Sequence, residues 1–432
     1  MRFTFFLFFF FFFFTSKNSE AIQFESLETK NGIKFWLIED KTLPLVSLSF
    51  SFKGGSILDP INQDGVTNLM TSLLDEGTQN FTASEYRLFK RENGIKISFS
   101  TSKERIEGTF QVVKPRLQEG FYLLNESINK AKFPIKEIKK VKSQVEASIK
   151  IDNSDISTIA SNKFNKFFFK DQLIGRNTKG NLKTLGNISR DDIQSIYKSS
   201  FIKDRLVIGI SGDIDPNLAK KYVDYVFGDL PSKKFVNPIS TFKELNKGKE
   251  IIEMKTPQTT VVFGQKGLGR KDKQYFAARV INYVLGGGGF QSRLYKEIRE
   301  ANGLVYSIYS YLMPYEYAGV IVGGFQTRNQ NVGKTVEKVK TEWNRIKNEG
   351  ITKLELQNAK TYYKGSFSRN FTSTLSIASL LMIVQYYDLG EDYFDKRDLI
   401  IDNLKLNELN NLAKNLFDSK NLFFMIVGEP KL

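Results

Sequence analysis

The chain is 432 residues long and contains neither histidine nor cysteine. Those two absences decide most of the available chemistry. Without imidazole there is no His-based general acid or base, no serine triad of the usual kind and no His-containing metal site. Without a thiol there is no cysteine nucleophile, no thiolate zinc site and no disulfide framework. Carboxylates, amines, guanidiniums and hydroxyls remain. Among local patterns, the run Gly286-Gly287-Gly288-Gly289 has the composition of a phosphate-cradling loop. It follows a helical stretch instead of joining a strand to a helix, and it lacks the Gly-Lys-Ser/Thr ending, so it reads as a helix stop and tight turn. Tyr309, Tyr311, Tyr315, Tyr317 and Phe325 crowd a short downstream segment. The lining of a chamber and ordinary strand packing account for them equally well.

The charge balance is strongly basic, with 63 Lys and Arg against 47 Asp and Glu, a formal charge of +16. Such a field favours acidic partners, anionic membranes or nucleic acid. The lysines are dispersed among acidic residues, however, and no dense basic run is interleaved with stacking aromatics. Compositional bias therefore explains the charge, and nucleic acid is not an expected partner. Hydrophobic residues at 41% and charged residues at 25% are the balance of a soluble globular protein.

The N-terminus is distinct. Arg2 precedes a phenylalanine run from Phe3 to Phe14, broken only by Thr4 and Leu7, and a polar stretch leads to Ser19-Glu20-Ala21. A positive start, an apolar core of about 12 residues and a small-x-small exit describe a signal peptide over residues 1–21. A membrane span needs about 20 residues. The expectation is an exported protein, periplasmic or secreted, with no stable membrane span after cleavage. An uncleaved leader would instead anchor it to the membrane.

The elements that must position any site follow from periodicity. Val46, Leu48, Phe50 and Phe52 alternate with Ser47, Ser49 and Ser51, which predicts a half-buried strand over 45–53 with one apolar face. A helix is predicted over 65–75, strands near 95–99 and 106–113, helices over 117–130, 135–150, 156–169 and near 191–201, and a strand over 206–213. The second half repeats this order: a strand over 257–267, a helix over 273–285, strands near 304–312 and 319–326, helices over 332–348, 353–371 and 373–387, and a closing strand over 422–428. Pro44, Lys53 and Gly54 recur as Pro257, Lys266 and Gly267, and Gly212-Asp213 recurs as Gly428-Glu429. The matching order argues for duplication of one α+β domain. The expected fold is α+β: two homologous α/β-sandwich domains, each a mixed, mainly antiparallel sheet with helices on one face. The domains span 22–231 and 250–432, with a polar linker over 232–249.

Three stretches together resemble the pitrilysin/insulinase family of zinc peptidases, specifically its short, processing-peptidase-like bacterial type. They are Gly65-Val66-Thr67-Asn68-Leu69-Met70-Thr71-Ser72-Leu73-Leu74-Asp75-Glu76-Gly77-Thr78, Ser211-Gly212-Asp213-Ile214-Asp215-Pro216, and Leu285 to Leu294 continuing as Glu297-Ile298-Arg299-Glu300-Ala301-Asn302-Gly303-Leu304-Val305-Tyr306-Ser307. Catalytic members carry an inverted H-x-x-E-H motif on the first helix, in which two histidines bind zinc and the glutamate activates water. The matching positions here are Asn68, Thr71 and Ser72. Glu146 matches the place of the distal glutamate ligand, and a solvated helix carboxylate is the favoured reading of it.

The resemblance also implies an Arg and a Tyr, seven residues apart, reaching toward zinc from the second half. Arg299 and Tyr306 match that pair, with Gly303 ending the helix between them. A phenol and a guanidinium are suitable donors to the oxyanion of a hydrolytic intermediate. The competing reading is a surface Arg and a half-buried strand Tyr. Some short members of the family divide the labour between two chains, each half of a clamshell around an extended peptide. The implied function is the non-catalytic subunit: no zinc in this chain, zinc in a homologous partner subunit, and Arg299 and Tyr306 supplied in trans. The alternative is an inert peptide- or protein-binding scaffold of the same fold.

Overall fold

A computed structural model describes residues 23–170, 172–236, 245–316 and 319–432. The leader over 1–21 and Tyr317 lie outside the described residues. Among these residues no helix is long and apolar enough to cross a membrane.

Two sheets organise the chain. The first contains β1 (Glu25–Glu28), β2 (Lys34–Glu39), β3 (Leu45–Lys53), β4 (Lys96–Thr101), β5 (Arg105–Val113) and β6 (Leu206–Gly212), in the order β1-β2-β6-β3-β5-β4. The second contains β7 (Gly248–Glu253), β8 (Gln258–Gly267), β9 (Val305–Pro314), β10 (Gly319–Arg328) and β11 (Phe423–Gly428), in the order β7-β11-β8-β10-β9. Apart from the additional edge strand β1, the two orders are the same. In each, one pair is parallel, β2 with β6 and β7 with β11, and the other pairings are antiparallel. The repeat reaches side-chain detail. Phe50 lies opposite Gly108, and Phe263 opposite Gly323. A Cβ on Gly108 would stand 2.0 Å from the Phe50 ring, and one on Gly323 2.4 Å from the Phe263 ring. Each half thus buries a phenylalanine over a glycine on the neighbouring strand.

One face of each sheet carries most of its own helices. In the first half, Val46, Leu48, Phe50 and Phe52 meet Leu69, Phe121, Ile193 and Val223 from four helices. In the second, Val261 and Phe263 meet Val280, Val339, Trp343 and Leu409.

The predicted one-sided burial of β3 does not hold. Ser47, Ser49 and Ser51 are buried as fully as the apolar residues between them. The helix Thr374–Tyr386 from the second half lies across that serine face: Ser47 Oγ and Thr374 Oγ1 are 2.7 Å apart, and Gln385 Nε2 donates to the Ile208 carbonyl at 2.7 Å. Small serines let the helix approach so closely that a Cβ on Gly209 would stand 2.2 Å from the Ala378 carbonyl oxygen. The exchange is reciprocal. The helix Ile156–Phe168 from the first half packs Phe164 and Phe168 on Val262, Val322, Phe423 and Met425 of the second sheet. The helices-on-one-face description therefore gains one helix on the other face of each sheet, contributed by the opposite half.

Three predicted boundaries also shift. The first helix spans only Val66–Thr71. The helix predicted over 353–371 ends at Gly365 and continues as a tighter 3₁₀ turn to Phe371. The stretch read as linker over 232–249 runs into β7 at Gly248, whose parallel pairing with β11 recruits Gly248 and Lys249 into the sheet.

Candidate functional site

The helix Val66–Thr71 carries the degenerate motif positions. Its start is fixed by Asp59, whose carboxylate accepts hydrogen bonds from the Gly65 and Thr67 amides at 2.7 and 3.2 Å and from the Thr67 hydroxyl. Burial pushes the Asp59 carboxyl up to about 6, against those hydrogen bonds. Val66, Leu69 and Met70 face the core. Of the motif positions, Asn68 is half-buried, Thr71 buried and Ser72 exposed. Thr71 Oγ1 and Ser72 Oγ both donate to the Asn68 carbonyl, at 3.0 and 2.9 Å. Such back-bonding competes with the helical ladder, and the helix ends there.

Glu146 is exposed on the helix Ile135–Asp152, between buried Val145 and Ile149, and pairs with Lys150 at 2.8 Å. Zinc does not fit these residues. Asn68 offers an amide, the two hydroxyls spend their protons on a backbone carbonyl, and Glu146 is engaged by an ammonium. No group of three or more metal-ligating acidic, His or Cys side chains lies together among the described residues. The chain carries no zinc motif.

Arg299 and Tyr306 are brought together. Arg299 sits in a π-helical turn, Tyr295–Glu300, and Tyr306 near the start of β9. Between them Gly303 takes φ 58°, a left-handed value that glycine adopts without strain. Its amide donates to the Arg299 carbonyl at 2.9 Å and the Leu304 amide to the Ile298 carbonyl at 3.1 Å. Buried Ile298 and Val305 anchor the turn on either side. Arg293 holds the segment from beneath, donating from Nε and Nη2 to both Glu355 oxygens at 2.8 and 2.7 Å. The Arg299 guanidinium then lies 4.7 Å from the Tyr295 ring centroid and 5.5 Å from that of Tyr306. Among the described residues no carboxylate comes within ion-pair reach of it. Tyr306 is 85% exposed, not half-buried as the surface reading expects.

Tyr295, the second ring of this stack, was not singled out in the sequence; its position four residues before Arg299 on a helical turn was the available signal. The glycine run has a structural place of its own. It closes the helix Tyr275–Asn282 as a second π-helical turn, and Gly286 approaches β9 so closely that a Cβ would meet Ser310 Oγ at 2.4 Å. Tyr309 and Tyr311 stack on one another with centroids 6.0 Å apart and line a cavity with that turn. Tyr315 and Phe325 are buried in packing.

With the geometry described, comparison with known proteins places the chain. Residues 34–180 match the insulinase family, peptidase family M16, and residues 187–363 match the peptidase M16 inactive domain. The chain belongs to the M16 family, as a member without the zinc motif. It is 27% identical over 398 residues to the non-peptidase homologue YmxG of Helicobacter pylori, covering 91% of each chain. It is 21% identical to the mitochondrial-processing peptidase subunit beta of Saccharomyces cerevisiae, over 75% of this chain and 73% of that one. A crystal structure of a peptidase M16 inactive domain from Pseudomonas fluorescens superposes with a TM-score of 0.89 at 23% identity, covering 95% of this chain and 98% of that chain. That likeness shows the shared two-sheet fold.

Proposed function

We propose that this chain is the non-catalytic subunit of an exported, two-chain zinc peptidase, and that it lends Arg299 and Tyr306 to the zinc centre of a homologous partner. The observation that carries the reading is the Tyr295–Arg299–Tyr306 stack. A guanidinium with no carboxylate in ion-pair reach among the described residues lies against two rings, one of them the phenol that is 85% exposed. Both donors are ordered by the turn around Gly303 and are open to another molecule. An oxyanion developing on a peptide carbonyl at the partner's metal is the charge such donors suit. Export rests on the leader sequence, Arg2 through Ala21. The division into two chains draws support from the yeast relative, which is named as one subunit of a peptidase.

The test mixes purified partner, zinc and an extended peptide with and without this chain. Cleavage is expected from the mixture, with kcat reduced about 100-fold or more by Arg299→Ala or Tyr306→Phe while the two chains still co-elute. Equal cleavage by the partner alone refutes the supply in trans. That outcome, with peptide binding retained, would leave the inert scaffold reading, which the Helicobacter relative's description as a non-peptidase favours.

A further inference from the structure

A cavity of about 760 Å³ lies against β9 in the second half, separate from the Arg299–Tyr306 stack. Among the described residues, four arginines line it, Arg270, Arg279, Arg369 and Arg397, together with seven tyrosines and no Asp or Glu. Arg397 is balanced by Asp398 and packs 3.9 Å over the Phe367 ring. The others are not balanced in this way. Arg270 donates to the Tyr393 hydroxyl at 3.1 Å and lies 4.7 Å from the Tyr275 centroid. Arg279 lies 4.7 Å from the Tyr363 centroid. Among the described residues neither has a carboxylate within ion-pair reach. Burial holds the Tyr275 and Tyr363 phenols above their ordinary value, so they remain neutral and supply ring faces, not countercharge. A guanidinium withdrawn from water without an anion is costly, and rings repay only part of that cost. The wall opposite is β9, the edge strand of its sheet, whose residues Tyr309 to Leu312 border the cavity.

From this arrangement we infer that the cavity binds the carboxylate of a peptide, with an adjoining aromatic side chain laid among the tyrosines. The guanidiniums take the carboxylate by charge-assisted hydrogen bonds, and the ring faces take the flat apolar group. The carboxylate is either a Glu or Asp side chain or a chain terminus. The inference deepens the proposed function by naming the class of peptide, and it is testable on this chain alone, without partner or zinc.

The probe is an N-acetylated, C-terminally amidated octapeptide with one Glu between two Phe residues, titrated into the full chain at low salt and followed by isothermal titration calorimetry. A second arm replaces Glu by Gln, and a third keeps Gln but frees the C-terminus. Binding of the first or third arm is expected to exceed the neutral second arm by about tenfold or more, and to weaken as salt is raised. Which charged arm binds identifies the source of the carboxylate. Arg270→Gln and Arg279→Gln are each expected to weaken the charged arm about tenfold. Arg270→Lys should retain part of the affinity, because the charge is kept while the planar fork is lost. Arg369→Gln, at the exposed rim, disturbs only a contact 6.0 Å from the Tyr362 centroid and should weaken binding about fivefold. Equal binding of charged and neutral arms, indifference to substitution of Arg270, Arg279 and Arg369 by Gln, or no binding of any peptide arm at low salt overturns the inference.

Discussion

At the residue scale, the chain shows how much can be removed from a metal helix without losing the helix. Asp59 still fixes its start and Leu69 and Met70 still anchor its face, while Asn68, Thr71 and Ser72 have settled into local hydrogen bonds. Metal analysis of the purified chain is therefore expected to give zinc far below one per molecule. Stoichiometric zinc removable by chelator would contradict the ligand argument. Asp59 itself is a structural carboxylate. Asp59→Ala leaves the Gly65 and Thr67 donors unpaired in a buried place and should lower unfolding free energy by about 1–3 kcal/mol, read from denaturant titration. The same comparison made with Ser72→Ala should show little change, because that hydroxyl is exposed and serves only its own helix.

At the element scale, the two exchanged helices are the least expected feature. Thr374–Tyr386 lies on the serine face of β3 and on β6, and Ile156–Phe168 lies on β8 and β11. Their close approach depends on small residues beneath them. Gly209→Ala would drive a methyl group to 2.2 Å from the Ala378 carbonyl oxygen, and Gly264→Ala one to 2.7 Å from the Ile321 carbonyl oxygen and 2.9 Å from the Phe164 ring. Both should destabilise, each by about 1–3 kcal/mol, with the larger loss for Gly209 because its overlap with backbone is the deeper. Thermal melting of the two variants checks the order. Alternation in β3 was legible because period two is local. Burial of its serines was not legible, since the helix that covers them lies more than 300 residues away, at Thr374.

At the scale of the whole molecule, the exchange makes each half incomplete. Residues 23–236 produced alone would expose the serine face of the first sheet and the ring face of Phe164 and Phe168. Aggregation or loss of fixed tertiary structure is expected, with recovery when residues 245–432 are co-expressed; near-ultraviolet circular dichroism distinguishes the two states. A second link between the halves is Glu104, in the β4–β5 turn, whose carboxylate accepts from the Glu316 amide at 3.0 Å. Burial pushes its carboxyl up to about 7, helped by Glu316 and opposed by that hydrogen bond and by Arg105 and Lys103; the Tyr315 and Tyr386 rings lie against it and are neutral. The folded state thus holds a proton that the unfolded chain releases nearer 4.5. Its contribution is complete below that lower value and disappears as pH rises through about 7. Wild type should lose up to about 3 kcal/mol over this window relative to Glu104→Gln, measured by urea unfolding at a series of pH values. A flat difference would place the carboxyl at an ordinary value.

What the amino-acid order determined by itself is chemical inventory and local period. It excluded imidazole and thiol chemistry outright, gave most strands and helices from periods of two and 3.6, revealed the duplication through Pro44, Lys53 and Gly54, and carried the family motifs around Asn68 and Arg299. These are properties of residue type and short spacing. Tertiary structure decided the rest, because long-range proximity leaves no periodic trace. Only folding covered the serines of β3 with a helix from the other half, and gathered Arg270 and Arg279 with rings from distant helices into a cavity that no described acidic residue lines. Those contacts join segments whose separation along the chain carries no signal of its own.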